Sequence, residues 1–158
     1  MGAPADAPVR LVVPSIGVDA NIETFNLNPD LSMPVPETGD VAAWYTFGGG
    51  AGGPGNAVLA GHVDLNYHRA VFYELGNVAE GDNVWLQDAG GAWFQYRVIW
   101  TVSLVDDSAP IDQIAGYTDI PSLTLITCSG GFDRTIGRYV ERRIVRAELV
   151  APADQAAP

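Results

Sequence analysis

An all-β fold, closed into a barrel, is what this sequence predicts. Three observations carry the prediction. Short β-branched and apolar runs recur along the chain, and turn residues separate them, with 18 Gly and 11 Pro in 158 positions. No rhythm of strand, long helix and strand runs through it, which argues against a parallel α/β sheet. Hydrophobic residues make up 47% and charged residues 17% of the chain, the balance of one globular domain with its own core.

The elements follow in order. Residues 10–13 are apolar and stop at Pro14-Ser15 and Gly17. Residues 18–25 alternate, with Val18, Ala20, Ile22 and Thr24 on one side and Asp19, Asn21 and Glu23 on the other, so two strands around a turn are expected. Residues 26–40, rich in Asn, Asp, Pro and Gly, form a loop, in which Met33-Pro34-Val35-Pro36 favours extended backbone. Residues 41–47 form a strand. The Gly-rich run at 48–55 connects it to the next strand, 56–62; it is no phosphate loop, because no Lys-Ser or Lys-Thr follows. Residues 66–70 are polar and irregular, and 71–75 have the spacing of one helical turn, ended by Gly76. Strands at 83–87 and 93–103 flank a turn at 88–91. In the second, Phe94, Tyr96, Val98, Trp100 and Val102 are expected on one face. A long segment, 104–118, starts a short helix at Asp106-Asp107-Ser108-Ala109-Pro110. Strands at 123–128 and 139–150 complete the chain. The domain boundaries read as a linker remnant over 1–8, the domain over 9–150 and a disordered tail over 151–158.

Composition excludes several classes of function. The net charge of −11, from 19 acidic and 8 basic residues, repels phosphate backbones and supplies no polybasic patch for an anionic membrane. A single cysteine cannot form an internal disulfide. No window approaches the length of apolar sequence that spans a bilayer, and the start lacks a signal peptide. Residues 1–8 read as a linker from which an export or anchoring segment has been removed.

The chemistry centres on Leu123-Thr124-Leu125-Ile126-Thr127-Cys128-Ser129-Gly130-Gly131. A strand holds Cys128 from behind and a Gly turn leaves it open in front, which suits a nucleophile; the competing reading is a small buried hydrophobe. A thiol is largely un-ionised at neutral pH and needs a base. Strand 56–62 also ends in a titratable group, His62, which can take the proton and later return one to a leaving amine. A guanidinium can stabilise the developing oxyanion, and Arg134, Arg138, Arg142, Arg143 and Arg146 all lie near the last strand.

These residues resemble the sortase family. Thr124-Leu125-Ile126-Thr127-Cys128, followed by Arg142-Arg143-Ile144-Val145-Arg146-Ala147, is similar to the sortase active-site signature. Gly61-His62, the opening Val12-Val13-Pro14-Ser15-Ile16-Gly17-Val18, Ala70-Val71-Phe72 and Gly81-Asp82 also resemble that family. The likeness covers residues 10–150, and Gly61-His62-Val63-Asp64 with the Cys-Ser-Gly-Gly-Phe-Asp run is most similar to class E and class F sortases of Gram-positive bacteria.

The resemblance implies an eight-stranded sortase barrel and a cysteine transpeptidase. It implies that Cys128 cuts an LPXTG-like C-terminal sorting signal after Thr and passes the acyl group to an amine, such as a lipid-linked peptidoglycan precursor or a pilin lysine. His62 becomes the general acid and base, and Arg142 holds the substrate carbonyl or oxyanion, with Arg138 and Arg143 as alternatives. Thr127 and Ser129 are expected to line the substrate pocket, and segment 104–118 to wall the groove. No cofactor, metal or nucleic acid is expected, and a monomer is. The resemblance also implies a site outside the cell, on a full-length protein anchored in the membrane. Asp64 reads as turn-forming, His68 as solvated, and Asp106, Asp107 and Asp112 as an acidic loop that matches no EF-hand. The non-enzymatic alternative is an extracytoplasmic β-barrel that binds peptide without chemistry. The order His before Cys, far apart in the chain, fits neither an L,D-transpeptidase nor a papain-like protease.

Overall fold

The apolar runs become strands. A computed structural model describes residues 6–105, 111–127, 132–133, 138–139 and 141–158. The strands are β1 (Pro8–Val13), β2 (Val18–Phe25), β3 (Ala42–Tyr45), β4 (Asn56–Gly61), β5 (Asp64–Leu65), β6 (His68–Arg69), β7 (Asn83–Asp88), β8 (Trp93–Val105), β9 (Ser122–Thr127), β10 (Phe132–Asp133), β11 (Arg138–Tyr139) and β12 (Glu141–Leu149); the short helix α1 spans Ile111–Ile114. Eight of the strands close a barrel in the order β1-β2-β3-β4-β9-β12-β8-β7. Closure leaves the barrel itself without a free sheet edge; β5-β6 and β10-β11 form two separate two-stranded sheets.

Two pairings in the barrel, β2 with β3 and β4 with β9, are parallel. The second fixes the site, because it brings two sequentially distant strands to a common end. β3, β4 and β9 are buried along their whole length. They have an apolar layer on each side, which is why their sequences read as continuous rather than alternating. Inside the barrel lie Leu11, Val13, Trp44, Leu59, Tyr96, Leu123, Leu125 and Val145, among others. Outside it a second cluster joins Ala43, Tyr45, Val58, Ala60, Ile126 and Ile144 to Ile114 of α1 and to Met33 of the loop at 26–41. The loop and α1 are thus a partial outer layer over one face of the barrel. Burial pushes the Tyr96 hydroxyl up to about 12, and that hydroxyl accepts the Gly52 N–H at 2.8 Å, tying the Gly-rich connection to the barrel.

Three details depart from the sequence expectation. In β8, Val98 pairs with Ala147 and Trp100 with Arg146, so Ile99 is an extra residue in a bulge. A one-residue slip exchanges faces. Phe94, Tyr96 and Val98 pack on the inner core, but Val102 and Leu104 pack on the outer cluster, and Trp100 is turned outward, 36% exposed. Residues 64–69, expected to be irregular in part, form a small β5–β6 hairpin whose two turn residues, Asn66 and Tyr67, have φ of 51° and 66°. The helical turn expected at 71–75 is replaced by turns and a 3₁₀ segment at Leu75–Asn77.

The chain termini also differ from the expectation. Ala7 is fully buried, and the Asp6 carbonyl accepts the Ala51 N–H at 2.8 Å, so residues 6–8 pack on the domain. Residues 151–158, expected to be disordered, lie across β7 and β8. Gln155 Nε2 donates to the Gln95 and Val150 carbonyls at 2.9 and 2.7 Å, and Trp85 Nε1 donates to Ala156 O at 2.7 Å. The physical reason is that Gln95 and Trp85 are nearly buried on the barrel surface, and the tail satisfies their polar atoms.

Candidate active site

Gly61 lies opposite Thr127 in the parallel β4–β9 pair, so both strands end at one rim of the barrel. His62 follows Gly61 directly. A Cβ at Gly61 would meet Val71 Cγ1 at 2.7 Å and Phe72 Cδ2 at 2.8 Å, and Phe72 is fully buried. The position before His62 therefore has room only for hydrogen. Gly61→Ala is expected to cost about 1–3 kcal/mol through overpacking and to displace His62, giving a lower urea midpoint.

The backbone around His62 is stitched to its neighbours. Its carbonyl accepts the Phe72 N–H at 2.9 Å, the Val63 carbonyl accepts that of Ala70 at 2.9 Å, and the Gly39 carbonyl accepts that of Val71 at 2.8 Å. The half-buried imidazole places Nε2 2.8 Å from the Pro36 carbonyl oxygen. The β5–β6 hairpin rises from this stitched base. Asp64 opens it, pairing in register with Arg69, and His68 is exposed on it.

Beside these strand ends runs a groove of about 320 Å³, lined by Leu31, Ser32, Met33, Val35, Tyr45, Ala60, Ile126, Thr127 and Arg142. Its floor is the outer face of β4 and β9, and one wall is the loop at 26–41. Tyr45 Oη pins that wall by donating to Pro34 O at 2.6 Å. Thr127 lines the groove while its Oγ1 accepts the Arg143 N–H at 2.8 Å. Arg142 also lines the groove, whereas Arg143 sends its guanidinium to Ser103 Oγ at 3.1 Å and Gly76 O at 3.3 Å. Alternation along β12 separates the two arginines. A larger cavity of about 410 Å³ lies apart from the strand ends, against Ile16–Ala20 of the β1–β2 turn and Arg69–Glu74, and holds none of the predicted site residues.

Of the predicted residues, His62, Thr127 and Arg142 are thus brought to one rim and groove. Cys128 and Ser129 lie outside the described residues, as do Arg134 and the acidic pair Asp106-Asp107. Sequence reasoning missed the role of the loop at 26–41, read only as a connection. Its contacts to Tyr45 and His62 are made by the carbonyls of Pro34 and Pro36, and the one available signal was the stiff Met33-Pro34-Val35-Pro36 run.

Comparison with known proteins adds to this geometry. Residues 11–150 match the family model described as the sortase domain. Among solved structures, a sortase C-1 from Actinomyces oris is 24% identical, with 91% of this chain and 75% of that one covered and a TM-score of 0.70. A sortase A from Listeria monocytogenes is 23% identical, with 92% and 88% covered and a TM-score of 0.68. A sortase D5 transpeptidase from Clostridium perfringens is 20% identical, with 92% and 79% covered and a TM-score of 0.66. At these identities the structural likeness bears on the fold. No curated protein matches the sequence significantly.

Proposed function

The chain belongs to the sortase family, whose members are cysteine transpeptidases, and we propose that Cys128, His62 and Arg142 carry its chemistry. One observation supports this most directly. The Gly61–Thr127 register ends two parallel strands side by side, and His62 and Cys128 are the next residue on each.

In this reading the Cys128 thiolate attacks the carbonyl carbon of the threonine in an LPXTG-like signal. The oxyanion that forms is met by the Arg142 guanidinium. Imidazolium His62 protonates the departing amine as the C–N bond breaks, leaving a thioacyl enzyme. An incoming amine then attacks the thioester, His62 takes its proton, and the thiolate departs. Thr127 supports the groove through its bond to the Arg143 N–H, and Ser129 is proposed as a second substrate contact. No step calls for a metal or cofactor.

Sortases act on LPXTG-type signals and amine acceptors, outside the cell and at the membrane of Gram-positive bacteria. For this chain we propose surface proteins bearing an LPXTG-like signal as donors, a lipid-linked peptidoglycan precursor as acceptor, and a monomer as the working form. We further propose a domain at 9–150 that works on the outer face of a membrane to which the whole protein is anchored. Among the described residues no helix is long and apolar enough to cross a membrane. The class E or F assignment rests on the Gly61-His62-Val63-Asp64 and Cys-Ser-Gly-Gly-Phe-Asp runs.

The test is cleavage of fluorogenic LPXTG and LAXTG peptides, with and without an amine acceptor. Cys128→Ala is expected to abolish cleavage, and His62→Ala to reduce it by about 10²–10⁴-fold. Cleavage that survives Cys128→Ala overturns the mechanism. Binding without turnover by the unaltered protein would instead favour a peptide-binding barrel.

A further inference from the structure

We infer that the Pro36 carbonyl is the positioning partner of the His62 imidazole: it holds Nε2–H and thereby assigns proton transfer to Nδ1. The inference rests on the proposed role of His62 and adds the atom that works. A carbonyl oxygen can only accept. At 2.8 Å from it, Nε2 therefore carries the hydrogen whenever this bond is made, and in the neutral ring Nδ1 carries the lone pair. The hydrogen bond made by one ring nitrogen decides the chemistry of the other. When the ring is protonated both nitrogens carry hydrogen, and Nε2–H stays where it was. One bond to Pro36 thus persists through both half-reactions, while only the Nδ1 proton comes and goes. A carboxylate fills this place in many triads; here a neutral backbone oxygen fills it.

The acceptor is held by a stiff support. Proline fixes φ at both Pro34 and Pro36, and each restricts the residue before it to extended backbone. The same run is tied down at Pro34 O by Tyr45 Oη at 2.6 Å and, three residues past Pro36, at Gly39 O by Val71 N at 2.8 Å. Ser32 and Asn28 brace its start, with Asn28 Nδ2 donating to Ser32 Oγ at 2.9 Å. Little conformational freedom is left to lose when the imidazole docks. The loop that forms a groove wall also carries the atom that aims the base, so ring position and substrate path are set by one element.

The test reads the ring itself. The chain has two histidines, and His68 is exposed, which makes it an internal solvent reference. Long-range ¹H–¹⁵N correlation spectra of the full chain at alkaline pH, with His68→Gln for assignment, report the protonation of each ring nitrogen. Expected for His62 is a single tautomer with Nε2 protonated and Nδ1 bare, and an Nε2–H that exchanges with water at least tenfold more slowly than that of His68. A His62 ring protonated on Nδ1, or a tautomer mixture with exchange as fast as in His68, overturns the inference. Pro36→Gly keeps the carbonyl but loosens its support. It is expected to speed Nε2–H exchange and to lower kcat about tenfold at unchanged KM, in line with the cost of small misplacements. Unchanged ring exchange and kcat in that variant would also overturn it. If His62→Ala retains full activity, the proposed mechanism fails, while the ring spectra still decide the hydrogen bond.

Discussion

Arg142→Ala is expected to lower kcat/KM for a sorting-signal peptide by about 10²–10³-fold, the usual cost of removing one oxyanion donor. Arg143→Ala is expected to lower the urea midpoint instead and to leave kcat/KM within a fewfold of the parent. The two residues are adjacent in sequence and both are arginines, so composition and spacing cannot separate them. Strand geometry does. Ile144, next in β12, packs on the outer cluster and Val145 on the inner one. Arg142 shares the parity of Ile144 and lines the groove above Ala60 and Ile126. Arg143 lies on the other face, where its Nη1 and Nη2 donate to Ser103 Oγ and Gly76 O. Removing Arg143 strips partners from two polar groups, at about 1–2 kcal/mol, and leaves the groove intact. Arg142→Lys keeps the charge but loses the planar fork, so it should recover part of the lost rate. Stopped assays and urea melts on the three variants decide the matter. A dead Arg143→Ala beside an active Arg142→Ala would move the oxyanion role to the other arginine.

What could be read in the sequence depended on where the physical signal sits. β4 and β9 were legible because apolar layers on both sides make them continuous runs, and each is followed in the sequence by a residue of the proposed site, His62 and Cys128. The faces of β8 were legible only as far as Val98. Ile99 is as good a strand residue as its neighbours, so nothing in its side chain announces the bulge that turns Trp100 outward. The wall at 26–41 was legible as a loop but not as part of the site. Its contacts are backbone carbonyls, and a carbonyl has no signature in the sequence. The tail looked disordered because Ala and Pro dominate it, while its anchor depends on Gln95 and Trp85, whose orientation only the closed barrel defines.

Asn56→Ala is expected to be the most destabilising of the polar substitutions on the outer face, by about 2–4 kcal/mol. Asn56 and Thr124 are 2% and 0% exposed on the neighbouring strands β4 and β9, where Asn56 is in register with Ser122 and Thr124 with Val58. Thr124 Oγ1 donates to Asn56 Oδ1 at 2.7 Å, and Asn56 Nδ2 donates to the carbonyls of Ile114 at 2.9 Å and Gly116 at 3.1 Å. Arg146 joins them, with Nε donating to Thr124 Oγ1 and Nη2 to Ile114 O, both at 2.9 Å, and its guanidinium 5.1 Å from the centre of the Trp100 ring. Burial lowers the Arg146 pKa from its usual value, partly offset by Glu148, yet a guanidinium stays charged at any working pH. The network fastens the end of α1 to the barrel, beside Ile114, which packs on the same outer cluster as the groove residues Ala60 and Ile126. Alanine at 56 takes the acceptor from the buried Thr124 hydroxyl and the side-chain donor from the Gly116 carbonyl, and leaves the Ile114 carbonyl to Arg146 alone, which is why its cost should exceed that of Arg146→Met, where Asn56 still holds both carbonyls. For a chain of this size the loss corresponds to a fall in Tm of roughly 6–12 °C. Because the groove is bounded by what α1 packs against, KM for the peptide should rise in Asn56→Ala while kcat at saturation stays within a fewfold of the parent. A Tm within a degree of the parent would mean that the packing of Ile114 alone, and not this polar network, holds α1 in place.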